Sequence, residues 1–518
     1  TAADRRNDLL PSTALVMERL TDGPVPELLN PGTGTSRAWS VGTRVASAPI
    51  ESGSRRHEFI GGIEVSGSAA DVRAAFSGRV GEMLNGVPTR VWNFTTSTVP
   101  STWSQRTLSL FGSDRIEVGP RMTVDAAIRF ETLRADNSTG AQVVSWHDFM
   151  PKVGARIALT NLFSTAAFAY YGRYGHRLPL SDLAWGDPTA PSGTVSLWKT
   201  ATPNHAPLPS EAGTLIARIG PGTGGDPAFS AVDPALARPH MDELVTGFEG
   251  KPNRWSMVRL YAMARRERNL IGAADVGVPE STYIASGIAD HGVDQFGSTD
   301  QILPIYNRAP STFGADRYLL TNPPDDEATF VGAELTFETQ TEHLYLLMGA
   351  TAGRSQGLAA NRGFNALEND DGIVGEVFID PNARTFAQGR MFTERGYTLK
   401  WSGAYRWTSG ATFGLVARYE DGQHFARLVI VPGLNQGLEA VRGFRNGKTR
   451  FTFINTLDLR YRQPFTIGAH TVTATVDAFN VLNTALEMEE FTVSGPLSRS
   501  TTAVQPPRAI HFGIRIPF

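Results

Sequence analysis

Apolar and polar residues alternate with a period of two along most of the chain, from about residue 37 to the last residue. In the clearest segment every second residue is apolar, aromatic or glycine, namely Tyr397, Leu399, Trp401, Gly403, Tyr405 and Trp407. Residues 122–131, 331–338, 412–419 and 451–462 repeat the pattern, with exceptions at Val416, Ile454 and Asn455. Because successive side chains of a strand point to opposite faces, the pattern predicts half-buried strands of about 9–12 residues.

Strand length and aromatic content favour one of two β architectures. Strands of soluble proteins are usually about five or six residues long, whereas strands that cross a membrane need about 9–11 residues and carry aromatic residues near both interfaces. In water, a face with two Tyr and two Trp side chains would form an aggregation-prone patch. We therefore predict an all-β fold, an antiparallel transmembrane β-barrel with long extracellular loops. A propeller or sandwich with a second covering sheet remains the alternative.

The spacing of the segments supports the barrel. Short turns at 408–410 and 463–470 join some segments, and long inserts rich in Gly, Pro, Asn and Asp separate others, at 179–237, 269–325 and 351–390. Short turns at one end and long loops at the other are typical of outer-membrane barrels. The last segment alternates through Ile510, Phe512, Ile514 and Ile516 to Phe518. A terminal aromatic residue on such a strand is similar to the signal read by the barrel assembly machinery.

Composition narrows the partners and the chemistry. Lys and Arg number 48 and Asp and Glu 51, a net charge of −3, so we expect no nucleic-acid partner. The 52 Gly and 32 Pro favour strands joined by turns. Cysteine is absent, which excludes disulfides, thiolate catalysis and cysteine-ligated metals. No stretch of about 18 apolar residues predicts a transmembrane helix.

Motifs for catalysis or cofactors lack their required spacing. His147 and the segment 240–243 have no HExxH frame, and 220–225 is glycine-rich without the Lys of a phosphate loop. Acidic clusters at 325–327 and 368–372 lack the spacing of an EF-hand. We therefore expect no enzyme, no cofactor and no metal site, although a secreted β enzyme stays the least favoured alternative.

Several stretches resemble the TonB-dependent outer-membrane receptors, especially their Oar-like branch, which carries a carboxypeptidase-regulatory-like domain. The resemblance rests on the order of these stretches as well as on their residues. The stretches are VGPRMTVDAAIRFE at 118–131, DFMPKVGAR at 148–156, YGRY at 171–174, the segments 395–419, 428–437 and 451–465, DAFNVLN at 477–483, and PR at 507–508. The match spans residues 37–518 and implies the carboxy-terminal part of a receptor barrel.

The resemblance implies transport of a scarce or bulky solute across the outer membrane of a Gram-negative-type cell. Its expected partners are outer-membrane lipid, the barrel assembly machinery, an unknown solute and the TonB system acting through a plug. Family barrels usually have 22 strands, whereas about 14–18 are visible here, and residues 1–36 look like an irregular or loop segment with neither plug nor TonB box. We expect the missing parts elsewhere in the protein. A passive porin or a structural barrel in a surface assembly is the alternative.

The polar face of the predicted strands supplies the candidate functional residues. Lumen-facing charges would line a hydrated path, contact the plug or pair with one another. Substrate selection is expected in the long loops, where Trp185, Trp198 and His205 either contact the solute or pack the loops together. The lumen-facing candidates are Asp125, Arg129, Lys400, Arg406, Asp458, Arg460 and Asp477.

Overall fold

A computed structural model gives the structure of the chain and describes residues 3–5, 16–19, 32–74, 77–95, 97–160, 164–202, 205–290, 301–324, 326–358, 380–391, 394–445, 447–468 and 470–516. One 18-stranded sheet dominates these residues. Three of its strands are short, Ala3–Arg5, Ile50–Ser52 and Gln388–Arg390.

The other fifteen strands form the wall, and each is antiparallel to the next along the chain. In chain order they are β1 Gly32–Ala46, β2 Arg55–Ala74, β3 Ser101–Val118, β4 Met122–Asp136, β5 Gln142–Thr160, β6 Thr165–Gly175, β7 His240–Asn253, β8 Ser256–Arg268, β9 Ala328–Gln340, β10 Leu344–Leu358, β11 Tyr397–Arg406, β12 Thr412–Glu420, β13 Ile454–Ile467, β14 His470–Phe479 and β15 Ala509–Arg515.

The connections divide the wall into two ends. At the turn end, neighbouring strands are joined by 47–54, 119–121, 161–164, 254–255, 341–343, 407–411 and 468–469. At the loop end the connections are 75–100, 137–141, 176–239, 269–327, 359–396, 421–453 and 480–508. All but the second of these are long, which confirms the predicted barrel with long loops at one end.

Some predicted boundaries were wrong. β1 begins at Gly32, so the boundary predicted at residue 37 falls inside a wall strand. β13 continues to Ile467, which shortens the predicted turn 463–470. β10 continues to Leu358, so the predicted insert 351–390 begins later in the chain. Apolar and polar residues stop alternating where a strand extends beyond the apolar band. Strand ends predicted from alternation alone therefore fall short of the observed ends. Phe518 lies outside the described residues.

Cross-strand register places the predicted apolar residues on one face. Trp401 is opposite Met348 and Ala417, and Leu335 is opposite Ala350. Trp401, Leu335 and Met348 expose 44%, 45% and 36% of their surface although all three are apolar. An exposed, continuous apolar face of this size fits lipid and not water.

Aromatic side chains mark both borders of this outward face. Near the turn end, Trp407 packs edge-on against Tyr405 and Tyr461. Near the loop end, Tyr419 packs against Phe453. Tyr405 and Tyr397 lie eight residues apart on β11. This separation is roughly 26 Å along the strand, or roughly 20 Å along the membrane normal for a strand with the usual tilt. That height is comparable with the apolar band of about 25 Å found in outer-membrane barrels.

The wall is open along one line. Within the described residues β15 pairs on one side only, with β14, and β1 pairs beyond β2 only with Ala3–Arg5. Because β1 and β15 are the first and the last of fifteen strands, each antiparallel to the next, they run in the same direction and would have to pair as parallel strands. The outward residues of β15 are among the most exposed apolar groups, with Phe512 at 81% and Ile514 at 75%.

Shorter elements occupy the loop end. A five-stranded sheet combines Val16–Arg19, Gly78–Leu84, Val87–Thr95, Ser192–Trp198 and Ala212–Ile219, and a three-stranded sheet combines Ser230–Val232, Gly272–Asp275 and Tyr318–Thr321. Antiparallel pairs join Tyr283–Asp290 to Gln301–Arg308, His424–Phe425 to Thr449–Arg450, Leu428–Val431 to Glu439–Arg442, and Glu487–Glu490 to Thr501–Val504.

Helices are few and short in the described residues. They are the α-helix Pro381–Arg384 and the 3₁₀ turns Leu180–Ala184, Pro209–Glu211, Glu280–Thr282 and Pro310–Thr312. None of the helices in this part of the chain has the length and hydropathy of a membrane span.

The assignment of faces predicts how neighbouring substitutions differ. Leu335→Arg places a charge on the outward face at mid-height and should destabilise the folded barrel by about 2–4 kcal/mol in a bilayer. Thr336→Arg, one residue further on the inward face, should cost clearly less because its guanidinium remains hydrated. Urea unfolding in lipid vesicles, followed by tryptophan fluorescence, measures both; equal losses would contradict the assignment.

Candidate functional site

The face opposite the exposed apolar residues carries charges that pair across strands. Arg129 on β4 donates to Glu131 (Nε to Oε1, 2.6 Å), to Glu64 on β2 (Nη2 to Oε2, 3.1 Å) and to Ser109 Oγ on β3 (2.7 Å). Ser109 in turn donates to Glu131 Oε1 at 2.9 Å. Four side chains from three adjacent strands therefore form one network on the inward face.

A second ion pair lies near the open edge of the wall. Arg460 on β13 forms a bidentate pair with Asp477 on β14, with Nη2 to Oδ2 at 2.9 Å. Asp458 on the same face accepts a hydrogen bond from the backbone N–H of Asn480 at 2.8 Å. Two of the predicted candidates thus pair with each other, and Asp458 holds the start of the loop that follows β14.

The other three candidates share this face without such partners. Asp125, Lys400 and Arg406 have no side-chain hydrogen bond or ion pair within the described residues. Lys400 is opposite Gly349 and Arg418, and Arg406 is opposite Thr412, all of which are inward positions. Sequence reasoning omitted Arg156, paired with Glu249, and Arg265, paired with Glu243. Both arginines occupy polar positions of alternating segments, 142–160 and 256–268, so the alternation could have predicted them as inward charges.

The largest apolar cluster lies on the inward face of the wall at its loop end. Wall residues Trp103, Leu133, Ala135 and Trp146 pack there against residues of the long loops. The loop residues in this cluster are Leu178, Leu183, Ala184, Ala190, Leu236, Ile271 and Leu320. The loops 176–239 and 269–327 therefore pack against the inner surface of the barrel mouth instead of projecting away from it.

Polar contacts anchor the same loops to the wall. Arg238, which is buried, joins Glu131 (Nη2 to Oε2, 2.8 Å), Asp148 (Nη1 to Oδ2, 3.4 Å) and the carbonyl of His176 (2.9 Å). Trp146 Nε1 donates to the carbonyl of Leu236 at 2.8 Å. Through Glu131, the end of the loop 176–239 is connected to the Arg129 network of the wall.

A fully buried ion pair lies at the centre of the five-stranded loop sheet. Arg90 donates to Glu82 through Nε (2.9 Å) and Nη2 (2.8 Å), and Trp92 Nε1 donates to Glu82 Oε2 at 2.7 Å. Arg90 also donates to the carbonyls of Gln436 (2.8 Å) and Leu438 (3.2 Å). Burial of such a pair is favourable only when its hydrogen-bonding groups find partners, as they do here. The pair therefore fastens the loop 75–100 to the loop 421–453.

Two buried carboxyl groups join three other loop segments. Asn382 pairs with the backbone of Tyr306, accepting from its N–H at 2.9 Å and donating to its carbonyl at 2.8 Å. This fixes the amide so that its second N–H points to Glu439, beside Asp380, whose Oδ1 caps the helix at Ala383 N (3.0 Å). Burial raises the pKa of both carboxyls, and the repulsion from Asp380 raises the pKa of Glu439 further. The pair is best satisfied when it holds a proton.

Trp185, Trp198 and His205, which were expected either to contact the solute or to pack the loops, contact other residues of the long loops. Trp198 is buried and its Nε1 lies 3.3 Å from Glu211 Oε2, while His205 Nε2 lies 3.0 Å from Glu211 Oε1. Trp185 packs edge-on against Tyr318. Within the described residues these side chains therefore pack the loops together.

Acidic clusters give no metal site in the part of the chain that the structure describes, where no group of three His, Asp or Glu residues has the required geometry. The segment 368–372 and Asp325 lie outside the described residues. Asp326 and Glu327 are described, and Glu327 pairs with Arg266.

Solved structures with the same fold are outer-membrane receptors and transporters. The outer membrane transporter YddB of Escherichia coli matches with a TM-score of 0.54 at 11% identity, over 97% of this chain and 58% of that one. The ferripyoverdine receptor of the outer membrane of Pseudomonas aeruginosa matches with a TM-score of 0.51 at 13% identity, over 93% of this chain and 48% of that one.

No protein-family model matches the chain, and no curated protein matches its sequence. The chain spans about half the length of the solved structures that it resembles. At such low identity the likeness shows the fold alone, which is the β-barrel of the outer-membrane receptors and transporters that the chain matches. The predicted fold class is confirmed, and a barrel with this apolar band belongs in an outer membrane.

Removing one partner of the buried loop pair should loosen the mouth. Arg90→Met leaves the Glu82 carboxylate buried without its cation, which typically costs about 3–5 kcal/mol. Arg56→Met removes a partly exposed pair at the turn end and should cost about 0–1 kcal/mol. Limited proteolysis of the folded barrel measures how far each variant loosens the loops. Equal resistance of the two variants at residues 77–95 and 428–442 would contradict the role of Arg90 in holding the two loops together.

The buried carboxyl pair predicts a pH dependence of the loops. The folded pKa values of Asp380 and Glu439 are raised, so the folded loops keep a proton that the unfolded segment loses above the ordinary carboxyl pKa of about 4. Stability contributed by the pair is therefore greatest at low pH and falls as pH rises towards the raised value. Hydrogen exchange of residues 380–391 and 439–442, corrected for intrinsic rates, should increase between pH 5 and 8. Glu439→Gln should flatten this increase, whereas Glu489→Gln, at an exposed position, should leave it unchanged.

Proposed function

We propose that the chain forms most of the barrel of a TonB-dependent receptor that moves a scarce or bulky solute across the outer membrane. The observation that carries the proposal is the packing of the long loops on the inner face of the mouth, through the cluster around Trp103 and Trp146. A passive pore needs an open mouth, whereas a receptor holds its solute at a closed one. The lipid-facing outer wall is the partner surface for membrane lipid.

The open edge supports closure by strands from outside residues 1–518. An unpaired strand in lipid leaves N–H and C=O groups unsatisfied, at several kcal/mol each. Because β1 and β15 run in the same direction, an odd number of whole strands is needed between them for antiparallel closure. Seven additional strands, counting the one that begins to form at Ala3–Arg5, would give the 22 of the related barrels.

We assign residues 37–518, together with the five preceding residues of β1, to this barrel and its loops. The plug and the TonB box are supplied by a part of the protein outside this chain. The order of the matching stretches from 118–131 to 507–508 supports the Oar-like branch. Phe518 is proposed to complete the signal for the barrel assembly machinery, which the apolar side chains of β15 would extend.

The inward charges divide into two groups in this proposal. Arg129, Asp458, Arg460 and Asp477 have partners in the wall or loops and keep the wall rigid. Asp125, Lys400 and Arg406 are available to contact a plug or a passing solute. Substitution of the second group should alter transport more than folding.

Conductance of the whole protein in a planar lipid bilayer tests the proposal. With the loops in the mouth we expect no steady ion current, and deletion of residues 178–238, with a short Gly/Ser linker in their place, should produce stable open channels or a large rise in current. Deletion of 485–503, in a loop outside the apolar cluster, is the matched control and should raise the current much less. A large steady conductance of the unaltered protein would instead establish a passive porin.

A further inference from the structure

A basic cavity of about 680 Å³ lies on the outward side of the wall at the loop end. Wall residues Thr329, Arg354 and Gln356 line it together with Arg390 of the short strand Gln388–Arg390 and with Arg445 and Lys448 of the loop 421–453. Glu327 is the one acidic side chain among its described lining residues. The cavity therefore has a strong excess of positive charge.

Register places the wall side of this cavity on the lipid-facing surface. Arg354 is directly opposite Val331, an outward residue exposed to 63%. Gln356 is opposite both Thr329 and Arg390, two positions further towards the loops on the same face. Arg354 is also two residues beyond Ala352, which is opposite Tyr397 at the aromatic border. The backbone of Arg354 thus lies about 7 Å along the strand from the edge of the apolar band, at the height of lipid headgroups.

Existing ion pairs leave several of these cations uncompensated. Glu327 accepts a bidentate pair from Arg266, with distances of 2.8 and 3.0 Å, and also lies 3.8 Å from Arg268. Arg390 is paired with Glu394. Within the described residues neither Arg354 nor Arg445 has a side-chain hydrogen bond or ion pair, and Lys448 only faces the ring of Phe444. Four cations, Arg354, Arg390, Arg445 and Lys448, therefore line the cavity against one carboxylate, Glu327, which is already paired with Arg266.

We propose that this cavity binds the phosphate group of a lipid in the outer leaflet. Arg354 and Arg445 supply planar forks that fit phosphate oxygens, and Lys448 adds a point charge. The acyl chains of the same lipid would lie against the adjoining outward side chains, with Val331 beside Arg354 and Tyr397 nearer the apolar band. A soluble anion could satisfy the arginines, but it would gain nothing from the adjoining apolar wall, so the lipid is the favoured source of the phosphate. The inference does not depend on the identity of the transported solute.

Thermal unfolding of the whole protein in a neutral detergent provides the test. The probes are short-chain phosphatidic acid, short-chain phosphatidylcholine and inorganic phosphate. Phosphatidic acid should raise the unfolding temperature saturably, and Arg354→Gln with Arg445→Gln should weaken its apparent affinity about tenfold or more through loss of charge-assisted hydrogen bonds. The control, Lys251→Gln with Arg254→Gln, removes two exposed cations at the turn end and should leave the affinity unchanged.

Each alternative outcome has a defined meaning. Equal weakening in the two double variants would overturn the site, because only general charge would then matter. An equal response to inorganic phosphate would overturn its assignment to lipid, and an equal response to phosphatidylcholine would show that the headgroup charge is not recognised. If the test variant fails to fold, as judged by heat-modifiable gel migration, Arg354→Lys with Arg445→Lys keeps the charge. That variant should bind more weakly than the unaltered protein, and unchanged binding would contradict phosphate recognition by the two arginine forks.

Discussion

Every feature of this molecule depends on the need to satisfy backbone hydrogen bonds where no water is present. Fifteen wall strands meet that need by pairing with their neighbours along the chain. The same requirement fixes the period of two, because a paired strand must present one face to lipid and the other to the interior. Once the register is set, Trp401 lies in lipid and Lys400 does not, and neither side chain can be moved without moving a whole strand.

The inner surface of the barrel mouth is the surface on which the long loops are packed. The loops 176–239 and 269–327 bury their apolar side chains against a surface that the wall already provides. Trp103 and Trp146 provide that surface on the inner wall. Arg238 and Arg90 donate hydrogen bonds to buried polar groups that would otherwise lack partners. The wall is thus both the membrane anchor and the template for the elements that close its mouth.

The amino-acid sequence predicts the wall well and the loops poorly, for a physical reason. Alternation is a local signal, so residues 122–131 or 397–407 identify their strands and faces without knowledge of their neighbours. Ion pairs such as Arg129 with Glu64 join residues far apart in the chain, and alternation supplies only the face on which they lie. The loop sheet combines Val16–Arg19 with Ala212–Ile219 and includes a parallel pair, and no local pattern specifies either. Trp185 and Trp198 looked equally suited to solute or to packing because an aromatic ring does both.

The five-stranded loop sheet has a consequence for the order in which the molecule assembles. Its strands come from Val16–Arg19, the hairpin Gly78–Leu84 with Val87–Thr95, and the hairpin Ser192–Trp198 with Ala212–Ile219. The hairpin at 78–95 contains both Glu82 and Arg90. The carbonyls of Gln436 and Leu438, which complete the hydrogen bonds of Arg90, lie 346 and 348 residues further along the chain. Contacts of such high sequence separation form slowly. We therefore expect the mouth to mature late, so that an inserted barrel passes through a stage in which its entrance stands open.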